Sequence, residues 1–434
     1  MAATQKRSIG SAAEVLARLE GVPGGAELLA LARRREDVAL VGGAVRDLLC
    51  DAHPRELDVS VSPGASSGFA RALAETLEGQ VRPFGETLEP KLHERFGTAS
   101  ITWPHGRIDI AERRAETYAE PGALPDLRPA TLAEDLERRD FTINAIAIPL
   151  GGARAGELVA VAHALEDLRD GLLRVLHPAS FRDDPTRLLR LARYRARLAL
   201  QIEPGTLELA LRALDGGALA TVSGSRIASE LWLLTEERHP GGMVALGELG
   251  VLEALGLPAH FDQQLLEQAA ELLPGDGVYE ALQMAVLFHP PGGLGPPGIE
   301  SARALMESFE FVSEVRQRLL GAAFGVDAVA AEIEQDTPPS QLRSLLGSRG
   351  PEAVAIIGAL AARRSPQARG AVERWLGELR HVQLEIDGAD LLAAGVPEGP
   401  EVGARLARAL ELRLDGRLAP GRQAELSAAL QESP

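Results

Sequence analysis

The sequence predicts an α+β protein: a small mixed sheet with helices at the amino end, then a long all-helical remainder. Three observations predict it. Between residues 36 and 150, short apolar runs of β-type residues alternate with helical stretches. From Leu165 onward the pattern is almost wholly helical, with Gly/Pro-rich loops. The bulk of the chain is Ala, Leu and Arg, with only 4% aromatics, a composition that favours helices. At 434 residues the chain is too long for one ordinary core. The expected divisions are a head over 1–150, a neck over 151–238, a helical body over 239–350 and a helical tail over 351–434.

Taken in order, residues 1–35 read as a helical lead-in ending in Arg33-Arg34-Arg35. Val38–Val41 is a strand; Gly42-Gly43 turns the chain, and Ala44–Leu49 starts a helix. Leu57–Val61 is the next strand. Phe96–Trp103 and Arg107–Ala111 follow as strands around a turn at Pro104-His105-Gly106. After Glu112–Tyr118, residues 119–131 form a Gly- and Pro-rich loop. Ile143–Pro149 closes the strand set, and Gly151-Gly152 marks a boundary. His289–Gly298 reads as an exposed connector.

Charge and cysteine content narrow the classes. The net charge of −17 argues against a generic nucleic-acid binder. Its distribution is uneven: −5 over residues 1–150, zero over 151–238 and −12 over 239–434. Any RNA contact must use local arginine patches. Lys6 and Lys91 are the only lysines, so nearly all positive charge is guanidinium, which suits bidentate contacts to phosphate and base edges. Cys50 is the only cysteine; no disulfide framework forms within one chain, which fits a reducing cytosol. No apolar run approaches a membrane span, and the amino end lacks a signal-peptide core.

The chemistry-bearing residues cluster in the first half. Glu56 and Asp58 are two apart at a strand, so their side chains share a face. Asp109, on a neighbouring predicted strand, can join them. Three such carboxylates suit two divalent ions, which activate an attacking hydroxyl and stabilise a leaving pyrophosphate. The Gly42-Gly43 turn at a helix start suits phosphate. It is not a dinucleotide-binding fingerprint, because no G-x-G-x-x-G follows the strand. In Asp184-x-x-Arg187, positions three apart share a helix face, and a carboxylate with a guanidinium can read a base edge. Arg182, Arg187, Arg190, Arg193, Arg195 and Arg197 form a dense basic run, some of it available for pairing with neighbouring acids. Arg138 reads as a surface partner of Glu137.

Leu40–Asp47 followed by Glu56-Leu57-Asp58 resembles the first motif of the class II tRNA nucleotidyltransferase and bacterial poly(A) polymerase family. Arg138-Arg139-Asp140-Phe141-Thr142-Ile143-Asn144-Ala145 is similar to that family's R-R-D-F-T-x-N-A. Phe181–Arg190 resembles its nucleobase-reading segment, Val222–Leu231 its neck motif, and Asp387–Pro400, more weakly, a tail segment. The resemblance implies a polymerase β-like nucleotidyltransferase head and template-independent addition of CCA to the tRNA 3′ end from CTP and ATP. It implies Mg²⁺ held by Glu56 and Asp58, with Asp109 completing the catalytic set. It implies nucleotide contacts by Gly42, Gly43, Arg46, Arg139, Asp140, Asn144, Asp184, Arg187 and Arg190. It also implies that the segment 112–131 is the loop needed for adding the final A. An A-adding enzyme or poly(A) polymerase shares every catalytic residue, and a non-catalytic tRNA-binding homologue is the competing class. The departures are Glu56 where Asp is usual, Asp183 where Glu is usual, and Cys50-Asp51-Ala52 where Leu-Gly and a basic residue are common.

Overall fold

A computed structural model describes residues 6–81, 89–93, 97–237, 240–289 and 296–431. Phe96, residues 1–5 of the lead-in, residues 290–295 of the expected connector and the 238/239 division lie outside the described residues. The chain gathers into two compact units, Met1–Ser223 and Gly224–Pro434. The boundary at 223/224 falls inside the expected neck, 151–238, and the divisions expected at 150, 238 and 350 are not drawn by this partition. The α+β expectation holds.

The first unit opens with α1 (Ala12–Glu20), started by a Ser11/Glu14 capping box, and α2 (Gly25–Ala32). Then come β1 (Ala39–Val41), α3 (Gly43–Leu49), β2 (Leu57–Val61), α4 (Ser66–Val81), β3 (Lys91–His93), β4 (Thr98–Trp103) and β5 (Gly106–Glu112). β6 (Arg114–Thr117) and β7 (Asp126–Pro129) precede α5 (Leu132–Glu137), β8 (Ile146–Pro149), β9 (Val159–Ala160) and α6 (Ala164–Asp170). The unit closes with β10 (Leu172–Leu173), α7 (Ser180–Asp183), α8 (Arg187–Arg197), β11 (Gln201–Ile202) and α9 (Pro204–Asp215). Seven strands make one mixed sheet in the order β3-β4-β5-β2-β1-β8-β9. Only β2 and β5 pair in parallel within it.

Period-two alternation makes the sheet two-faced. Leu57, Val59, Val61, Ile101, Ile108 and Ile110 are buried. α4, with Phe69, Leu73 and Leu77 buried, packs on β4 and β5. The alternate positions carry Asp58 and Asp109, which are direct Cα partners.

Three expectations need correction. The segment 119–131 is not loop throughout: β7 within it pairs antiparallel with β6, from Arg114 opposite Pro129 to Thr117 opposite Asp126. Every residue of β7 is exposed, so no apolar alternation announced these strands. The strand placed at Ile143 starts at Ile146, because Thr142–Asn144 forms a 3-10 turn anchored by Thr142 Oγ1 donating to Asp167 at 2.7 Å. Asp184 and Arg187 do not share a helix: Asp184 is extended (φ −134°, ψ 93°) between α7 and α8. Pro185 follows it, and a residue before proline is pushed out of the helical region.

Asp51, where the family pattern has glycine, holds the left-handed conformation (φ 57°) and pairs with Arg18 at 2.9 Å. Aspartate is among the side chains that tolerate this region best.

The second unit is helical among its described residues. Its helix Tyr279–Phe288 is buried at every position from Ala281 on, as expected of a central helix. Pro351, Pro366 and Pro400 each open a helix, where a missing N–H costs nothing. Asp387 caps the helix Gly388–Ala393 in a reciprocal box with Asp390, and Ile386, Leu391, Val396, Ala409 and Ala429 form the apolar cluster beneath. Among the described residues no helix is long and apolar enough to cross a membrane.

Candidate active site

The acidic cluster is assembled by strand pairing. β2 and β5 run parallel with Asp58 opposite Asp109, so both carboxylates leave the same sheet face side by side. Glu56 directly precedes β2, two residues from Asp58. One carboxylate oxygen from each of Glu56, Asp58 and Asp109 lies within 4.8 Å of the others. Burial, then the charge of Glu56, pushes the Asp58 carboxyl up to about 7, with Asp109 adding to the rise and Arg139 and Arg46 opposing it. Burial and Asp109 raise Glu56 as well. An all-oxygen donor set under mutual repulsion fits a hard divalent cation.

The glycine turn forms the adjoining wall. Gly42 adopts φ 70°, ψ −134°, which only glycine takes without strain. A Cβ there would sit 2.5 Å from Arg139 Nη1 and 3.5 Å from Asp58 Oδ2. One on Gly43 would lie 3.4 Å from Arg46 Nη2. The missing side chains keep open the space between the end of β1, Arg139 and the acidic cluster.

The segment from Arg138 to Ala145 is a turn that converges its polar groups. Asp140 Oδ1 accepts from Asn144 Nδ2 at 2.9 Å and from the Phe141 amide at 2.8 Å. Its Oδ2 accepts from Arg190 Nε and Nη2 at 2.9 and 2.7 Å. Burial alone would raise Asp140, but Arg190, Asn144 and Arg187 hold it far below the usual carboxylate range. Arg46, only 2% exposed, donates to Asn144 Oδ1 and to Asp47 Oδ1 at 2.7–2.8 Å. It thereby ties α3 to the turn. Arg139 donates to the Asn144 carbonyl at 3.3 Å and pairs with Asp135 at 3.4 Å. Arg138 is no partner of Glu137: it bridges Asp135 at 2.8 Å and Glu116 at 2.9 Å, joining α5 to β6.

The predicted base-reading pair lies at the α7–α8 break. Asp184 Oδ1 accepts from Thr186 N and Oγ1 at 3.1 and 2.6 Å. Arg187 opens α8, where its amide donates to the Asp184 carbonyl at 3.1 Å. Its buried guanidinium donates to Ser180 Oγ at 2.5 Å and the Arg138 carbonyl at 2.9 Å. Turn geometry, rather than a helix face, brings the pair together.

Two participants were missed in the sequence. Tyr194 lies edge-on to Phe141 at 5.7 Å, and Arg46, Arg190 and Arg193 each stand 5.4–5.6 Å from its ring. Nothing in its spacing singled it out from the arginine run. Arg107 forks onto Asp109 at 2.9 and 3.0 Å. Its place two residues before Asp109 on one strand was a readable signal. The basic run proves largely paired: Arg182 with Asp183 at 3.1 Å, Arg190 with Asp140 and Arg197 with Asp47 at 3.7 Å.

Comparison with known proteins adds relatives to this geometry. Residues 38–174 match the poly A polymerase head domain. The chain is 33% identical over 395 residues to an A-adding tRNA nucleotidyltransferase of Geobacter sulfurreducens, the match covering 88% of this chain and 44% of that protein. Against a CC-adding tRNA nucleotidyltransferase of Deinococcus radiodurans the identity is 34% over 406 residues, covering 92% and 91%. A solved structure titled as a CCA-adding enzyme in apo form matches with a TM-score of 0.74 at 25% identity, covering 96% of this chain and 98% of that one. The chain thus spans under half the length of the Geobacter relative.

Proposed function

This chain belongs to the tRNA nucleotidyltransferase family, and from that premise we propose that it builds the 3′ C-C-A end of tRNA without a template, using CTP and ATP. The observation that carries the reading is the convergence of Glu56, Asp58 and Asp109 oxygens within 4.8 Å beside the Gly42-Gly43 turn. The reaction is nucleotidyl transfer: the terminal hydroxyl of the RNA attacks the α-phosphorus, the α–β phosphoanhydride bond breaks, and pyrophosphate leaves.

Glu56 and Asp58 would hold magnesium, with Asp109 beside the attacking hydroxyl. Magnesium, when bound, supplies Lewis-acid activation of that hydroxyl and charge neutralisation for the leaving group. The protein's own contribution is orientation. Gly42 and Gly43 leave room for the triphosphate, and Arg139 borders that space. Asp140 and Asn144, locked by Arg190 and Arg46, present fixed polar groups to the sugar. Arg46 acts here through Asn144 and Asp47 rather than by a free guanidinium. Asp184 and Arg187 offer an acceptor and donors to the base edge, with Arg187 fixed by Ser180 and the Arg138 carbonyl. The β6–β7 hairpin, tied to Arg138 through Glu116, is the arm assigned to addition of the final A. A cytosolic setting fits the lone, half-buried cysteine.

The test is incorporation of labelled CTP and ATP, separately and together, into tRNA ending at the discriminator base and into tRNA ending in CC. CCA synthesis predicts CTP addition to the first RNA and ATP addition to the second. ATP addition to the CC-ended RNA with no CTP use makes the enzyme A-adding. CTP addition with no ATP use makes it CC-adding. Binding without pyrophosphate release overturns the enzymatic reading.

A further inference from the structure

We infer that Arg107 is a built-in counter-charge of the acidic cluster, which competes with the divalent metal for carboxylate oxygens and sets how tightly the metal is held. The inference rests on the nucleotidyltransferase reading. Arg107 and Asp109 are two apart on β5, so both side chains leave the sheet face that carries Asp58. The guanidinium meets both oxygens of Asp109, Nε to Oδ1 at 3.0 Å and Nη2 to Oδ2 at 2.9 Å. Its Nε also lies 3.6 Å from Glu56 Oε2. Two of the three carboxylates that converge at the candidate metal centre, Asp109 and the proposed ligand Glu56, are therefore its ion-pair partners.

The chemistry suits a competitor rather than a scaffold. A guanidinium matches a carboxylate's two oxygens with two donors and stays protonated. It cannot yield the site by losing a proton, only by moving. Arg107 has room to move: its side chain is 52% exposed, and exposed ion pairs are weak and easily opened. The other two cations near Asp58 are anchored. Arg46 is buried against Asp47 and Asn144, and Arg139 is bonded to Asp135 and the Asn144 carbonyl. Glu56, where the family pattern has aspartate, lies within the same guanidinium's reach. A metal reaching these oxygens must open the Arg107 fork, so its apparent affinity is lowered by the strength of that fork.

The experiment titrates the full chain with Mg²⁺ alone, and separately with Mn²⁺ alone, by calorimetry without nucleotide or RNA. Arg107→Gln keeps a hydrogen-bond donor and loses the charge; it should bind both ions roughly three- to tenfold more tightly. The Mg²⁺-induced rise in melting temperature should grow in step. Arg107→Lys keeps the charge and should return to within about twofold of wild type, which a purely steric or hydrogen-bonding role would not produce. Unchanged or weaker binding by Arg107→Gln, or a lysine variant that behaves like glutamine, overturns the inference alone. Failure of the wild-type chain to bind either ion overturns the metal-centre reading, and the inference with it.

Discussion

The sheet-bearing unit and the helical unit put their charged residues to opposite uses. In the first, carboxylates and guanidiniums turn inward: Asp135, Asp140, Arg46, Arg187 and Arg193 are all under a tenth exposed. In the second, most pairs lie on helix surfaces. Arg405–Glu401 and Arg369–Glu373 are one helical turn apart, and Arg363 pairs with Asp262 across two helices. Exceptions there are structural. Buried Glu352 accepts from the Val278 amide at 2.8 Å and pairs with Arg318, and buried Glu425 accepts from the Glu385 amide at 2.6 Å. The difference teaches where charge is costly enough to require a purpose. Breaking a buried pair costs about 3–5 kcal/mol, whereas an exposed pair contributes about 0–1 kcal/mol.

That contrast breaks first at Asp58. Asp58→Asn removes a central ligand yet keeps its shape. Turnover should fall by at least roughly a thousandfold, while the melting temperature without metal stays level or rises, because a repelled carboxylate is removed. Steady-state pyrophosphate release and calorimetry on one preparation would check it. A variant that kept most of its activity would remove the cluster from the chemistry.

Asp140 sharpens the contrast next. Asp140→Asn leaves Arg190 without its carboxylate and should cost about 3 kcal/mol of stability at pH 7, read by urea unfolding. The pH dependence follows in sign. The native Asp140 carboxyl is held below its ordinary value, so its stabilisation is complete above the unfolded value near ~4. It is lost as pH falls further. The variant should therefore converge on wild type in acid, and a constant gap from pH 7 to 3 would contradict the assignment.

The smallest effect belongs to the second unit. Glu401→Ala removes the exposed partner of Arg405 and should change stability by about 0.5 kcal/mol or less, with no change in turnover. A large loss there would mean the acidic surface of this unit carries more than solvation.

Much of the head was readable from residues alone, for a definite reason. Period-two burial and the Gly-Gly turn are local properties, so β2 and the β1–α3 junction were predicted within a residue, and β4 ends at Trp103 as predicted. Asp58 and Asp109 could be named as a pair, since both lie on strands with one buried face. The exposed β6–β7 hairpin left no such trace, because backbone pairing holds it and not burial. Pro185 is legible in the sequence, and it disfavours helical backbone at Asp184, which lies between two helices instead of sharing one with Arg187.

By itself, the sequence determined which residue types are present, their faces along each strand, and the turns that glycine and proline impose. The tertiary structure alone decided who meets whom. The parallel β2–β5 register brings Asp109 beside Asp58, Asp140 selects Arg190 from a run of arginines, and Arg107 closes on two carboxylates. The physical reason is range. Backbone preference acts over a few neighbours, whereas electrostatic partnership is set by distances between segments that only packing brings together.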